Sequence, residues 1–191
     1  MDTINILRFT LNAVETIACV IGFVYWDKVK TSHWRWFPFY LVVIVIAEIL
    51  GGHFHDTGQH DIKLGMYNYF VIPVEILFFS WIFYREFEGS KLRWIAVSAA
   101  VIYAVCWMAD MFLIDRNPLW WVQSFSYSTG IILMLMLILT FLYVLATGND
   151  ILFMKQNMMF WVSMGLFVFY FCSLPIFGIG NYLFSHYKNI Y

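Results

Sequence analysis

Four carboxylic acids stand inside apolar stretches of this sequence, where charged side chains are rare. They are Glu15, Glu48, Glu75 and Asp110. A charged group at the centre of a bilayer costs at least about 2.5 kcal/mol, so such a residue usually faces protein or water. Two kinds of chemistry fit these acids: binding of a cation, a proton or a polar ligand, or hydrogen bonding between helices. The residues alone leave both interpretations open.

Amides and hydroxyls are expected at a similar depth to the acids. Together they predict a polar ligand-binding pocket that faces outward, lined by Glu15, Glu48, Asn68, Glu75, Asp110, Gln123 and Ser124. Asn68 precedes Glu75 by seven residues, which is close to two helical turns, so the two are predicted to share a face. Pro73 is expected to kink this helix and to turn Glu75 toward the pocket.

A second group of residues has the chemistry of a metal site. His53, His55, Asp56 and His60 lie in GGHFHDTGQHD, which the sequence predicts to be a loop. Imidazole nitrogens and carboxylate oxygens are typical ligands of zinc, so this group would bind zinc or another divalent metal. The spacing matches no zinc signature such as H-E-x-x-H. Polar residues such as His and Asp are also common in exposed glycine-rich loops that bind no metal.

Other signs of catalysis are few. The sequence has no G-x-S-x-G elbow, no phosphate-binding loop and no C-x-x-C pair. Three serines, Ser124, Ser126 and Ser128, could supply a nucleophile, but nothing in the sequence fixes a base beside them. Whether the chain is an enzyme is left open, with the balance against it, and no cofactor is predicted apart from the metal.

Composition predicts the elements that position these residues. The chain is 62% hydrophobic and 12% charged, with a mean hydropathy of +0.74. Soluble domains are nearer half apolar and a quarter charged. Because a lone span must satisfy its backbone hydrogen bonds internally, the fold class predicted is all-α, a transmembrane helical bundle forming one domain over residues 1–191. Six spans are predicted, at about residues 5–25, 36–52, 66–84, 93–114, 119–147 and 158–180.

Lysine and arginine predict the orientation of the bundle. Seven of them lie in the loops after spans one, three and five, against two in the loops after spans two and four. The positive-inside rule therefore places the amino terminus outside and the basic loops in the cytoplasm. Six spans would place Tyr191 outside as well, and a longer chain with a seventh helix would bring the carboxyl terminus inside.

Short motifs in spans two, three and six resemble a group of small, uncharacterised bacterial membrane proteins with several spans. The motifs are Ala47-Glu48-Ile49-x-Gly51, Asn68-x-x-x-x-Pro73-x-Glu75 before LFFSWIFY, and Phe160-Trp161-Val162-Ser163-x-Gly165-Leu166 with Tyr170 and Pro175. They cover about a third of the chain. The resemblance implies a bundle of six or seven helices and no particular activity, and the histidine group is not part of its pattern.

The function favoured by these patterns is an outward-facing binding or sensing protein of the bacterial inner membrane. Its surroundings are the lipid bilayer, and a sensor without an output domain would act through another membrane protein or a second copy. A net charge of −1 gives no indication of nucleic acid. Two alternatives stay open: a metal-dependent intramembrane enzyme that uses His53, His55 and His60, and proton or cation translocation through Glu15 and Glu75.

Overall fold

Helices are the regular elements throughout the part of the chain that the structure describes. This computed structural model describes residues 3–30, 32–112, 124–148 and 157–186. The contacts between residues divide the chain into two compact units. The first unit is mainly Met1–Val74, and the second unit is Glu75–Asn117 together with Trp121–Tyr191. Each unit has its own set of packed helices, and the single domain predicted from the sequence stays a prediction.

The first unit is built on a pair of long helices. Helix α1 (Thr3–Val24) leads through the short α2 (Trp26–Val29) and a 3-10 turn (His33–Trp36) into α3 (Phe37–Asp56), which packs against α1. Pro38 lies in the first turn of α3, as predicted, because its missing N–H has no partner to lose there. Its ring is buried against α1, where a Cβ on Gly22 would lie 3.2 Å from Pro38 Cγ.

The same unit continues through α4 (His60–Met66) and a π-helical turn (Tyr67–Val71). The π-turn lies just before Pro73, which has no N–H to offer the carbonyl four residues back. The Ile72 N–H bonds the carbonyl of Tyr67, five residues back, which is the spacing of a π-turn. The irregularity expected at Pro73 is therefore present as a wider turn on its amino-terminal side.

The second unit contains most of α5 (Ile72–Glu86) and the helices α6 (Arg93–Phe112), α7 (Ser124–Thr147) and α8 (Met158–His186). Helix α7 packs against both α6 and α8. Its buried positions recur every three or four residues and form one stripe: Tyr127, Ile131, Met134, Leu137, Ile138, Phe141 and Leu145. Helix α8 buries a stripe of the same kind, made of Met159, Ser163, Tyr170 and Ser173.

Five helical stretches among the described residues are long and apolar enough to cross a membrane. They are His33–Asp56, His60–Glu86, Arg93–Phe112, Phe125–Thr147 and Met158–Pro175, and Asn12–Val24 is a shorter apolar helix. Their outward positions also carry large apolar side chains, among them Val101, Ile132 and Val168. Helices that are apolar on all sides are compatible with a membrane protein. The all-α class is therefore confirmed for the described residues, whereas the six spans stay a prediction.

The prediction of a loop from Gly51 to Asp61 was wrong. Helix α3 runs on through both glycines and ends at Asp56, so His53 and His55 lie in its last turn, and His60 is the first residue of α4. The helix ends where Gly58 adopts a φ of 73°. The N–H of Gly58 bonds the carbonyl of His55, and the N–H of Gln59 bonds that of Phe54, which is the Schellman pattern of helix termination.

Candidate functional site

Glu75 is the centre of a polar cluster in the second unit. It lies one turn into α5 and is partly buried. The hydroxyl of Tyr170, on α8, donates a hydrogen bond of 2.7 Å to Glu75 Oε1. Tyr170 itself is completely buried. A hydrogen bond from a phenol to a carboxylate is a charge-assisted bond, which stabilises the anion more than a neutral contact would.

Two further tyrosines bring α6 and α7 to the same carboxyl. Tyr103 on α6 and Tyr127 on α7 are both buried, and both interact electrostatically with Glu75. Tyr127 also has a side-chain hydrogen bond with Ser173, which lies one turn after Tyr170 on the buried stripe of α8. Four helices therefore contribute to the cluster, and three of them contribute a phenol.

The hydroxyl of Tyr103 has no hydrogen-bond partner among the described residues, although the side chain is only 1% exposed. Burying a hydroxyl without a partner costs roughly 1–3 kcal/mol, so nearly all such groups in proteins find one. The cluster thus contains a strong acceptor, the Glu75 carboxylate, and an unused donor, the Tyr103 hydroxyl.

Gly130 allows the helices of this cluster to approach closely. It lies on α7, one turn after Tyr127, on the same buried face. A Cβ at this position would overlap Ile76 Cδ1 and would lie 3.1 Å from the ring of Tyr103. Since Ile76 follows Glu75 directly, the missing side chain at Gly130 lets both the Glu75 turn and the Tyr103 ring reach α7.

The inner part of the described helices of this unit carries no basic side chain. Residues 75–84, 94–112, 125–147 and 157–175 contain neither lysine, arginine nor histidine. Within these ranges no cationic side chain can balance a negative charge on Glu75. A buried carboxylate that is not paired with a cation is expensive, so it takes up a proton or binds a cation from outside.

Asp110, a predicted pocket residue, is hydrogen-bonded to the start of α7. Its Oδ2 accepts a hydrogen bond of 2.9 Å from the backbone N–H of Ser126, in the first turn of α7. The first N–H groups of a helix have no partner within the helix, and a carboxylate there also meets the positive end of the helix dipole. Asp110 is buried, and this contact makes it a cap for the following helix.

In the first unit, Glu48 is held by one tyrosine. The hydroxyl of Tyr67, in the π-turn, donates a hydrogen bond of 2.6 Å to Glu48 Oε1 on α3. The ring of Tyr67 lies over Gly51, where a Cβ would be 3.0 Å from the Tyr67 hydroxyl oxygen and 3.1 Å from Cε2. Gly51 follows Glu48 by one turn, so the glycine makes room for the residue that binds the acid.

Helix α1 adds two polar atoms near this pair. Glu15 interacts electrostatically with Glu48 and with Tyr67. Its Oε2 and the Oδ1 of Asn12 are buried atoms without a hydrogen-bond partner among the described residues. Asn12 and Glu15 are three residues apart on α1, so they lie on the same face, as predicted. Asn68, the remaining predicted residue of this unit, is buried.

The four predicted metal ligands are only partly brought together. The rings of His55 and His60 have centroids 5.2 Å apart, across the three-residue turn that joins α3 and α4. His53 is exposed and lies earlier on α3. Among the described residues no group of three or more His, Cys, Asp or Glu side chains is placed to hold a metal ion.

The predicted pocket residues thus fall into separate sets. Glu15, Glu48 and Asn68 belong to the first unit and Glu75 and Asp110 to the second. Gln123 and the side chain of Ser124 lie outside the described residues. The tyrosines that bond the acids, Tyr67 and Tyr170, are not among the predicted site residues, because an aromatic residue in an apolar helix most often belongs to the packing. The positions of two tyrosines could have indicated them, because Tyr103 and Tyr170 lie in the middle of apolar helices and not at the helix ends.

The class that this fold defines is an all-helical protein with several helices long and apolar enough to cross a membrane. Comparison of the chain with known protein families, with curated proteins and with solved structures finds no match in any of the three. The resemblance noted from the short motifs therefore stays a prediction.

Proposed function

We propose that this chain is a membrane protein that binds a small ligand at the carboxyl of Glu75, and that it acts as a binding or sensing protein of the bacterial inner membrane. The observation that carries the proposal is the hydrogen bond from Tyr170 to Glu75, together with the electrostatic interaction of two further buried tyrosines, Tyr103 and Tyr127, with the same acid. A carboxylate can accept several hydrogen bonds. The phenol of Tyr103, which interacts with this acid, is buried without a hydrogen-bond partner among the described residues, so it is a donor that a ligand could use.

The proposed membrane arrangement has six spans with the amino terminus outside. Helix α1 supports a sixth span, because its 22 residues would extend for about 33 Å at 1.5 Å per residue, which is the thickness of the hydrocarbon core. The distribution of lysine and arginine supports the orientation. In this arrangement Glu75 lies near the middle of its span, and a ligand reaches it from the outer side.

Thermal unfolding of purified protein in detergent tests the binding function. The wild type, Glu75→Gln and the control Glu88→Gln would be heated with a panel of small cations, anions and neutral polar compounds. Glu88 is exposed and lies 3.6 Å from Arg85, so its substitution should change nothing. We expect at least one compound to raise the unfolding midpoint of the wild type and of Glu88→Gln, but not that of Glu75→Gln. A panel in which no compound separates the variants would exclude the proposal.

Translocation of protons or cations is the second candidate function. It is favoured by the buried oxygens of Glu15 and Asn12, which have no partner among the described residues and could take part in passing a proton. Liposomes that contain the wild type should then show a proton or cation flux that Glu15→Gln and Glu75→Gln abolish. Wild-type liposomes without flux would remove this candidate. The metal-dependent enzyme stays a hypothesis, and elemental analysis of the purified protein tests it directly.

A further inference from the structure

From the chemistry around Glu75 we infer that the ligand is a small organic ammonium ion that carries an oxygen acceptor, as an amino alcohol does. This inference rests on the proposed binding function and names the ligand class for the same site. It follows from three properties of the cluster: an acid without a cationic partner in the inner part of these helices, tyrosine side chains that interact with this acid, and a buried hydroxyl donor without a partner among the described residues.

The charge of the ligand follows from the acid. Residues 75–84, 94–112, 125–147 and 157–175 contain no basic residue, so a ligand with a positive charge would provide the missing partner for the Glu75 carboxylate. An anion would meet a second negative charge with no cation to offset it. With a neutral ligand the acid would have to take up a proton, because a bare carboxylate in apolar surroundings is costly. A cationic ligand instead pairs with the charged form.

An organic cation fits the other groups better than a metal ion does. Hard metal ions such as calcium take six to eight oxygen ligands, largely carboxylates and carbonyls. Here the Glu75 carboxylate accepts a hydrogen bond from the Tyr170 phenol and interacts electrostatically with Tyr103 and Tyr127. The second acid that interacts with Tyr103, Asp110, is bonded to the backbone of Ser126. Aromatic rings attract ammonium ions through their electron-rich faces, and rings grouped around a cation are the usual way in which proteins recognise quaternary ammonium groups.

The oxygen acceptor follows from Tyr103. Its side chain is 1% exposed, and its hydroxyl has no partner among the described residues. A ligand with a hydroxyl or carbonyl oxygen next to its ammonium group would accept this hydrogen bond while the cation pairs with Glu75. The phenol then contributes to binding, whereas in the free protein it is an unsatisfied group.

Choline and its neutral analogue 3,3-dimethyl-1-butanol test the inference, because they share shape and hydroxyl and differ in charge. Calorimetric titration of the detergent-solubilised full chain should show binding of choline and at least about tenfold weaker binding of the analogue. Glu75→Gln and Tyr170→Phe should each weaken choline binding by about tenfold, and Glu88→Gln should not change it. Tyr170→Phe serves as the second variant where Glu75→Gln does not fold.

Tyr103→Phe separates a ligand contact from a structural role. It should weaken choline binding severalfold, yet leave the unfolding midpoint of the ligand-free protein unchanged or higher, because the lost hydroxyl had no partner. Equal binding of choline and its analogue would overturn the inference, as would stabilisation by sodium or potassium alone. Either of these two results leaves the proposed function intact if the binding of the compound that stabilises the protein is lost in Glu75→Gln. Loss of the Glu75 dependence for every compound would instead remove the proposed function.

Discussion

The hydroxyl of Tyr170 donates a 2.7 Å hydrogen bond to the carboxylate of Glu75, and the two residues are 95 positions apart in the chain. This contact joins α8 to α5. Hydrogen bonds between membrane helices contribute about 0.6 kcal/mol on average and up to about 1.7 kcal/mol. Because the acceptor is a carboxylate and Tyr170 is fully buried, this bond should lie near the upper end.

Removal of the Tyr170 hydroxyl is the first test of stability. Tyr170→Phe should reduce the free energy of unfolding by about 1–2 kcal/mol, since it leaves a partly buried carboxylate with one donor fewer. Tyr143→Phe is the matched control, because Tyr143 is 70% exposed on α7. Chemical unfolding in detergent measures both. Equal stabilities of the two variants would show that the Tyr170–Glu75 bond adds nothing to the fold.

Two adjacent glycines on α3 provide a second test. Gly52→Ala should stabilise the protein by about 0.5–1 kcal/mol, because nothing lies within 4 Å of the new Cβ and alanine favours the helix. Gly51→Ala should destabilise it by about 1 kcal/mol or more, because the new Cβ meets Tyr67 at 3.0–3.1 Å and disturbs its bond to Glu48. Thermal unfolding distinguishes them. A Gly51→Ala variant as stable as Gly52→Ala would mean that Tyr67 moves aside without cost.

Two glycines on different helices, Gly130 on α7 and Gly165 on α8, provide a third test. Gly130→Ala should cost about 1–3 kcal/mol, because its Cβ would overlap Ile76 and press on the ring of Tyr103 in a packed interior. Gly165→Ala has no atom within 4 Å and should be neutral or stabilising. Ligand binding should weaken in Gly130→Ala alone. An unchanged unfolding midpoint for Gly130→Ala would contradict the close approach of α5 and α6 to α7.

Asp110 offers a test of helix capping. Asp110→Ala should lower the free energy of unfolding by about 0.5–2 kcal/mol, which is the usual effect of losing a cap. Asp110→Asn should cost less, because the amide oxygen can still accept from the Ser126 N–H, although the charge at the helix end is lost. If Asp110 binds the ligand instead, Asp110→Asn would reduce affinity without a matching loss of stability.

Membrane orientation is open to a direct measurement. In a chain whose three cysteines are replaced, a single cysteine at Gln59 should react with an impermeant reagent added to intact cells. A single cysteine at Ser90 should react only after the membrane is made permeable. Both positions are exposed and lie between helices, so each is accessible to the reagent on its own side. The reverse pattern would place the amino terminus inside.

Several elements followed from simple sequence rules. The helices at residues 37–56, 93–112 and 158–186 begin within a residue of their predicted starts, because long apolar runs in a membrane have little alternative to a helix. Pro38 marked the start of α3. Helix ends were harder to predict: Gly51 and Gly52 suggested an end, but the positive φ that terminates α3 is at Gly58.

The candidate site was only half predictable. The acids were identified because charge is rare in apolar runs, but the tyrosines that hold them were not, because an aromatic residue in a membrane helix is usually packing. Counting two turns from Asn68 to Glu75 assumes 3.6 residues per turn, and the π-turn at Tyr67–Val71 breaks that assumption. Asp110 was predicted to be a pocket residue, and its hydrogen bond to the Ser126 N–H at the start of α7 depends on how α6 and α7 pack.

The sequence by itself determined that the chain is helical and apolar, and that Glu15, Glu48, Glu75 and Asp110 stand where a charge needs a partner. These properties depend on composition and on residues near in sequence. Only the tertiary structure decided the partners, Tyr67 for Glu48 and Tyr170 for Glu75, which are 19 and 95 positions away. A hydrogen bond between helices depends on how each helix is rotated and how closely it packs, and glycines such as Gly51 and Gly130 set that distance.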